Sequence, residues 1–186
     1  MVNVHARARE ESGFGLIELL MAVTILNIGI FAIFAAFNTG VVTIKRASEA
    51  STASVLADQQ MELLRAVTYD KIALDTTLLG STNNTYKCDS ALGTGSCPYS
   101  TSGEVTMTCS PVVNTCNPWR TTTGPDHRSY VVATYVLTEN PSASARTVKK
   151  VTVVVRDSNI TTRVLARATS TFDCSTGQPY SSCPPS

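Results

Sequence analysis

Six cysteines form three close pairs along the chain: Cys88 with Cys97, Cys109 with Cys116, and Cys174 with Cys183. Thiols at such spacings could hold a metal, act as nucleophiles or form disulfides. No pair has the C-x2-C spacing of a zinc knuckle, and His127 is the only histidine after residue 5. We therefore expect no metal site. The even number and close pairing favour disulfides formed in an oxidising compartment.

Cysteine connectivity is open at this stage, because six cysteines allow many pairings. Pairing within each close pair closes the shortest loops, so we prefer Cys88–Cys97, Cys109–Cys116 and Cys174–Cys183. The alternative is that some of these cysteines are reduced and buried.

The remaining reactive side chains give little sign of catalysis or of a cofactor. His127 cannot be matched to a nucleophile, and no glycine-rich phosphate loop follows a strand pattern, so we expect no enzyme. We interpret His127 as a loop residue and Trp119 as a residue that seals a small core rather than an exposed adhesive aromatic. Lys149 and Lys150 could contact DNA together with Arg146, but the net charge of +1 argues against nucleic acid as a partner.

One carboxylate stands at the start of a long apolar run. Glu18 is followed by 26 residues without a charge, from Leu19 to Ile44, and a helix needs only ~20 residues to cross a bilayer. A carboxylate in lipid costs at least about 2.5 kcal/mol, so Glu18 requires a partner or a function. The simpler alternative is that Glu18 lies at the level of the lipid headgroups.

The flanks of the run predict its orientation. Basic residues precede it, including Arg7 and Arg9, which predicts a cytoplasmic N-terminus and an external globular part. A secretory signal peptide has a shorter apolar core and an A-x-A-like cleavage site, and no such site occurs between Ile30 and Gly40.

Beyond the run, the sequence predicts that the helix continues in an amphipathic form. Steps of three and four residues connect one stripe of small and apolar side chains, while charged side chains lie off it. The stripe is Ala47, Ala50, Ala53, Ala57, Met61 and Leu64, and the charged residues are Lys45, Arg46, Glu49, Asp58, Glu62 and Arg65. A single helix from about Phe14 to Val67 is expected.

The rest of the chain predicts an antiparallel sheet. A stretch rich in Gly, Ser, Thr and Asn reads as loop, and alternating patterns then predict strands at 104–109, 130–138, 147–157 and 161–172. In the third strand Val151, Val153 and Val155 face one way, as in a half-buried strand, and "DSN" at 157–159 predicts a hairpin turn. The fold class is α+β: a long N-terminal helix packed on a small antiparallel sheet with disulfide-closed loops.

The stretch "GFGLIELLMAVTILNIGIFAIFAAF" resembles the N-terminal signal of type IV prepilins and pseudopilins, with the PilV-like minor pilins most similar. The shared features are a short leader ending in Gly13, an aromatic Phe14, Glu18 as the fifth residue after the leader, and an apolar helix. The resemblance is strong over residues 12–40. It divides the chain into a leader (1–13), a transmembrane or filament-core helix (14–44), an amphipathic continuation (45–70) and an extracytoplasmic head (71–186).

The resemblance implies that a prepilin peptidase cleaves between Gly13 and Phe14 and methylates the new amine of Phe14. Glu18 would then meet the amine of a neighbouring subunit during assembly. The implied partners are other pilin subunits through the N-terminal helix, the peptidase, the membrane assembly platform, and the membrane before assembly. The implied locations are the cytoplasmic membrane and then a surface pilus or a periplasmic pseudopilus.

Two features depart from the usual pattern. Glu10 and Glu11 lie in a leader that is usually basic, and the helix lacks the proline that many major pilins carry. The second departure suits a minor subunit or a pseudopilin as well as a divergent major subunit. The alternatives are a pseudopilin of a type II secretion system and a single-pass tethered protein whose head binds a ligand without assembly.

Overall fold

A computed structural model of the chain describes residues 15–81, 84–92, 103–140 and 147–174. The chain divides into two compact units, with the border between Arg46 and Ala47. One helix, α1 (Leu16–Arg65), is unbroken across this border. Its second half belongs to the unit that contains every strand among the described residues.

Short elements connect α1 to the main sheet. A 3-10 turn (Tyr69–Lys71) leads to β1 (Leu74–Asp75), α2 (Thr76–Ser81), α3 (Asn84–Lys87), a second 3-10 turn (Ser90–Leu92) and β2 (Thr106–Met107). The stretch predicted as loop therefore contains short helices. The strand predicted at 104–109 is reduced to β2, which pairs in parallel with β1 and lies outside the main sheet.

The main sheet is an antiparallel meander. Its strands are β3 (Trp119–Thr123), β4 (Ser129–Glu139), β5 (Val148–Asp157) and β6 (Val164–Phe172), in that spatial order. The last three correspond to predicted strands, whereas β3 was not predicted. The predicted "DSN" turn joins β5 to β6, and the Asn159 N–H donates to the Asp157 carboxylate at 2.8 Å.

The second half of α1 packs on the sheet through the predicted stripe. Ala53, Ala57, Met61 and Leu64 are all buried in the hydrophobic core with valines of β4 and β5. The approach is close at Gly124, since a Cβ there would lie 2.7 Å from the Thr52 side chain. A side chain at position 124 would therefore push the helix from the sheet.

The opposite face of the sheet is also covered, so the prediction that β5 is half-buried was wrong. Val154 is fully buried and Thr152 is 5% exposed, although they alternate with the valines that face α1. Tyr86 of α3 covers this second face by stacking on Tyr135 of β4, with 4.5 Å between ring centroids. The segment that contains α3 thus forms a third layer.

A buried carboxylate connects α1 to the β3–β4 and β5–β6 connections of the sheet. Glu49 was predicted to lie off the buried stripe, but it is only 5% exposed. Arg128, after the β3–β4 turn, pairs with its Oε1, and Arg163, before β6, donates to its Oε2 at 3.1 Å. Both carboxylate oxygens are therefore satisfied, which makes the burial of a charged group tolerable.

Two further buried polar side chains fix α1 and the turn that follows it. Gln60 donates to the Asn114 carbonyl at 2.9 Å and accepts from Arg120 of β3 at 3.2 Å. Lys149 of β5 donates to the carbonyls of Tyr69 and Ile72 at 2.6 and 2.9 Å. Burial lowers the pKa of the Lys149 ammonium. Lys149 is thus a core contact and not part of a basic surface.

A disulfide joins Cys109 to Cys116, one of the three pairs expected from the sequence. Asp75 holds the loop that this bridge closes, because its N–H donates to the Cys116 carbonyl at 2.8 Å and its carboxylate accepts from the Cys109 N–H at 3.0 Å. The Leu78 N–H donates to the same carboxylate. These hydrogen bonds lower the pKa of Asp75 from its ordinary value of 3.8.

The Glu49 contact predicts a selective loss of stability. Glu49→Ala would leave Arg128 and Arg163 without their shared partner, and we expect a loss of about 1–3 kcal/mol in the free energy of unfolding. Glu62→Ala is the matched control, because its pair with Arg65 is exposed and is worth less than about 0.5 kcal/mol. Denaturant unfolding of the full chain in detergent, followed by fluorescence of the only tryptophan, Trp119, measures both. Equal losses would contradict this role of Glu49.

Asp75 predicts a pH dependence. The pKa of Asp75 is lower in the folded chain than its ordinary value of 3.8, so the unfolded chain binds more protons as the pH falls through 3.8. The free energy of unfolding therefore decreases as the pH drops from above 3.8 towards the pKa of the folded chain. Asp75→Asn should be less stable near neutral pH and lose less of its remaining stability between pH ~5 and pH ~2. Thermal unfolding across that range tests this, with the exposed Asp58→Asn as control. Parallel pH profiles for the native chain and Asp75→Asn would refute it.

Candidate functional site

The first half of α1 is apolar on all sides and makes no contact that buries it. Every described residue from Gly15 to Ser48 is exposed, and Phe31, Phe34 and Phe37 expose 72, 64 and 71% of their surface. This half is long and apolar enough to cross a membrane, and none of its most apolar window is buried within the chain. It is therefore not a core helix of the chain's own fold. We call the residues from Leu16 to Ile44 the apolar half.

Glu18 lies in the first turn of the apolar half. Its N–H donates to the Gly15 carbonyl at 2.9 Å, and the Leu19 N–H donates to the same oxygen at 3.2 Å. Its side chain is exposed and forms no ion pair with any described residue. A carboxylate near a helix N-terminus interacts favourably with the unpaired N–H groups there, but that interaction is worth only about 0.3–1 kcal/mol.

Four of the five threonine and asparagine side chains of the apolar half hydrogen-bond to their own helix. Thr24 donates to the Met21 carbonyl at 2.8 Å, and Asn27 donates to the Val23 carbonyl at 2.9 Å. Thr39 and Thr43 each donate to the carbonyl four residues earlier, at 3.0 and 2.8 Å. These side chains need no water to satisfy them, which suits an apolar environment. Glu18 is the only charged residue of this half.

These bonds were not predicted from the sequence, although the residue types alone indicate them. Serine, threonine and asparagine in a helix can each reach a carbonyl three or four residues earlier, whatever the tertiary structure. Such hydrogen bonds can therefore be predicted from the residue type and the helix alone. They make Thr24, Asn27, Thr39 and Thr43 compatible with the predicted spanning segment, because the helix itself accepts a hydrogen bond from each of them.

The predicted processing residues, Gly13 and Phe14, lie outside the described residues. Two of the predicted disulfides, Cys88–Cys97 and Cys174–Cys183, each include one cysteine that lies outside the described residues. The described cysteine of each pair, Cys88 and Cys174, is disulfide-bonded. The Cys109–Cys116 bridge belongs to the second unit of the chain, as do Cys88 and Cys174.

The other residues considered for chemistry are dispersed over the second unit. His127 is exposed in the β3–β4 turn, with a φ of 60°. Trp119 is partly buried against the core, 6.3 Å from the Tyr86 ring. Within the described part of the chain, no group of three or more His, Cys, Asp or Glu side chains could hold a metal ion.

Two tyrosine hydroxyls of the second unit form hydrogen bonds that hold its structure. The Tyr130 hydroxyl donates to the Asp126 carboxylate, and burial together with this bond raises its pKa to about 12. Burial and a 2.6 Å bond to Asp89 raise the pKa of Tyr135 further. Both phenols thus remain protonated donors near neutral pH and hold loops on the sheet.

No family model, curated protein or solved structure matches the chain. The functional conclusion therefore rests on the residues and geometry of this chain and on the resemblance of its N-terminal motif.

Proposed function

We propose that this chain is a structural subunit, of the minor class, in a type IV pilus or a related filament. The observation that carries the proposal is the apolar half of α1: 26 uncharged residues follow a single carboxylate, and none of them is buried by the chain itself. Such a helix needs lipid around it before assembly and the helices of other subunits after assembly. The protein acts by packing, without catalysis.

Processing supplies the missing partner of Glu18. A prepilin peptidase cuts between Gly13 and Phe14 and methylates the new amine, which places a positive charge one helical turn from Glu18. The two charges neutralise each other in the bilayer, where either alone would cost at least about 2.5 kcal/mol. Glycine at the cut gives the peptidase close access to the backbone.

Glu18 then sets the axial position of the subunit in the filament. When the subunit leaves the membrane, its carboxylate pairs with the Phe14 amine of a neighbouring subunit. Apolar packing alone is nearly indifferent to sliding along the helix, whereas a misplaced subunit would leave a charge unpaired in a medium of low dielectric. The ion pair thus contributes specificity of register more than stability.

The rest of the molecule suits an extracytoplasmic head. The Cys109–Cys116 disulfide, and the disulfide state of Cys88 and Cys174, fit an oxidising compartment. Basic residues before the apolar half keep the N-terminus cytoplasmic until cleavage. The subunit therefore waits in the cytoplasmic membrane with its head outside and is passed by the assembly platform into a surface pilus or a periplasmic pseudopilus.

Glu18→Leu separates a filament subunit from a simple membrane tether. Removal of the carboxylate should leave membrane insertion and cleavage intact but reduce the processed chain in sheared surface filaments at least about tenfold, because the neighbouring amine loses its partner. Glu18→Asp is the matched control and should retain substantial assembly, since it keeps the charge. Immunoblots of membrane and sheared fractions measure both variants.

Normal amounts of the Glu18→Leu chain in sheared filaments would contradict the docking role and return Glu18 to the headgroup interpretation. A native chain that is never cleaved and stays in the membrane would instead indicate a single-pass tether. A native chain that is cleaved but reaches only short periplasmic assemblies would assign it to a secretion pseudopilus.

A further inference from the structure

A cavity of about 170 Å³ lies on the face of the main sheet opposite α1. Val131 and Ala133 of β4 form its floor. Three aromatic rings form one wall: Tyr86 stacks on Tyr135, and Trp119 lies 6.3 Å from Tyr86 at an angle of 46°. The cavity is therefore lined by apolar and aromatic side chains that the proposed filament function does not use, and Trp119 is the most exposed of these five.

An ion pair forms another wall. Asp89 is 4% exposed in its side chain and pairs with Arg156 of β5, which is 12% exposed. The Tyr135 hydroxyl and the Ala91 N–H also donate to Asp89, at 2.6 and 2.8 Å, and the neighbouring Cys88 is disulfide-bonded. The pair is fixed in place, and its two charges cancel. A charged ligand would find no unpaired countercharge in this wall.

Unused hydrogen-bonding groups surround the apolar surface. Ser90, Thr161 and Thr162 line the cavity, and their hydroxyls have no hydrogen-bond partner among the described residues. The same holds for the indole N–H of Trp119. Arg156 carries five N–H groups, and it hydrogen-bonds to Asp89 and to Tyr135 in the described part of the chain. The cavity thus combines an aromatic wall with several free donors and acceptors and no net charge.

We propose that this cavity binds one ring of a neutral sugar. A pyranose has a C–H face that packs on aromatic and aliphatic side chains, and a rim of hydroxyls that both donate and accept hydrogen bonds. A cavity of about 170 Å³ has room for a single six-membered ring. The head thereby acts as a carbohydrate-binding module, independently of whether the chain assembles into a filament.

Trp119 allows a direct test, because it is the only tryptophan and it lines the cavity. The full chain, in a phosphocholine detergent so that no alkyl glycoside competes, is titrated with the methyl glycosides of mannose, galactose, glucose and N-acetylglucosamine. Concentrations up to about 50 mM cover the ~1 mM Kd expected of so small a ligand. We expect a saturable change in Trp119 fluorescence with at least one sugar. Cyclohexanol, which has the same ring size and one hydroxyl, should bind at least about tenfold more weakly.

Thr161→Phe places a ring at the exposed rim and should weaken sugar binding at least about tenfold, since it fills the entrance. Thr171→Phe is the matched control on exposed β6 and should bind as the native chain does. Thr162→Phe repeats the test from the second rim position if Thr161→Phe fails to fold by circular dichroism. The proposal is overturned if no sugar gives a saturable change, if cyclohexanol binds as tightly as the best sugar, or if the folded rim variant binds normally.

Discussion

A helix that is apolar on every side is stable only where something other than water surrounds it. The first half of α1 is such a helix, and the chain buries none of its most apolar window. Lipid or other helices must therefore cover it. This constraint accounts for the lack of charge between Glu18 and Lys45 and for the threonine and asparagine side chains that bond to their own helix. It also leaves Glu18 as the one charged residue of this half, and the proposed function assigns that carboxylate the role of setting register during assembly.

The second half of the same helix meets a different constraint, because it has one face to bury and a sheet on which to bury it. Small and apolar residues supply the contact, but such a surface can slide or rotate with little cost. Three polar residues remove that freedom: Glu49 bonds to Arg128 and Arg163, Gln60 to Arg120, and Lys149 to two carbonyls after the helix. Buried polar contacts of this kind stabilise weakly in net terms but penalise every alternative register.

Local patterns predicted the elements whose signals are local. The three-and-four spacing predicted the helix, alternation predicted β4 to β6, and "DSN" predicted the turn after Asp157. Burial of Glu49 and Lys149 was not predictable, because their partners lie about eighty residues or more away in sequence in most of the contacts. β3 was missed because "WRTTT" has no apolar alternation, and the two-residue strands β1 and β2 are too short to show a period.

The cavity could not be predicted from sequence for the same reason, since Tyr86, Trp119, Tyr135 and Arg156 converge only when α3 packs on a face formed by β3, β4 and β5. The N-terminal motif is the opposite case, because its residues lie within six positions of one another in the sequence. The proposed assembly role depends on residues 13 to 18, and it is tested by intact-mass and N-terminal analysis of the chain isolated from the cell surface. We expect a chain that begins at Phe14 with one methyl group on its amine. A surface chain that retains residues 1–13, or that is cut within the apolar half, would contradict it.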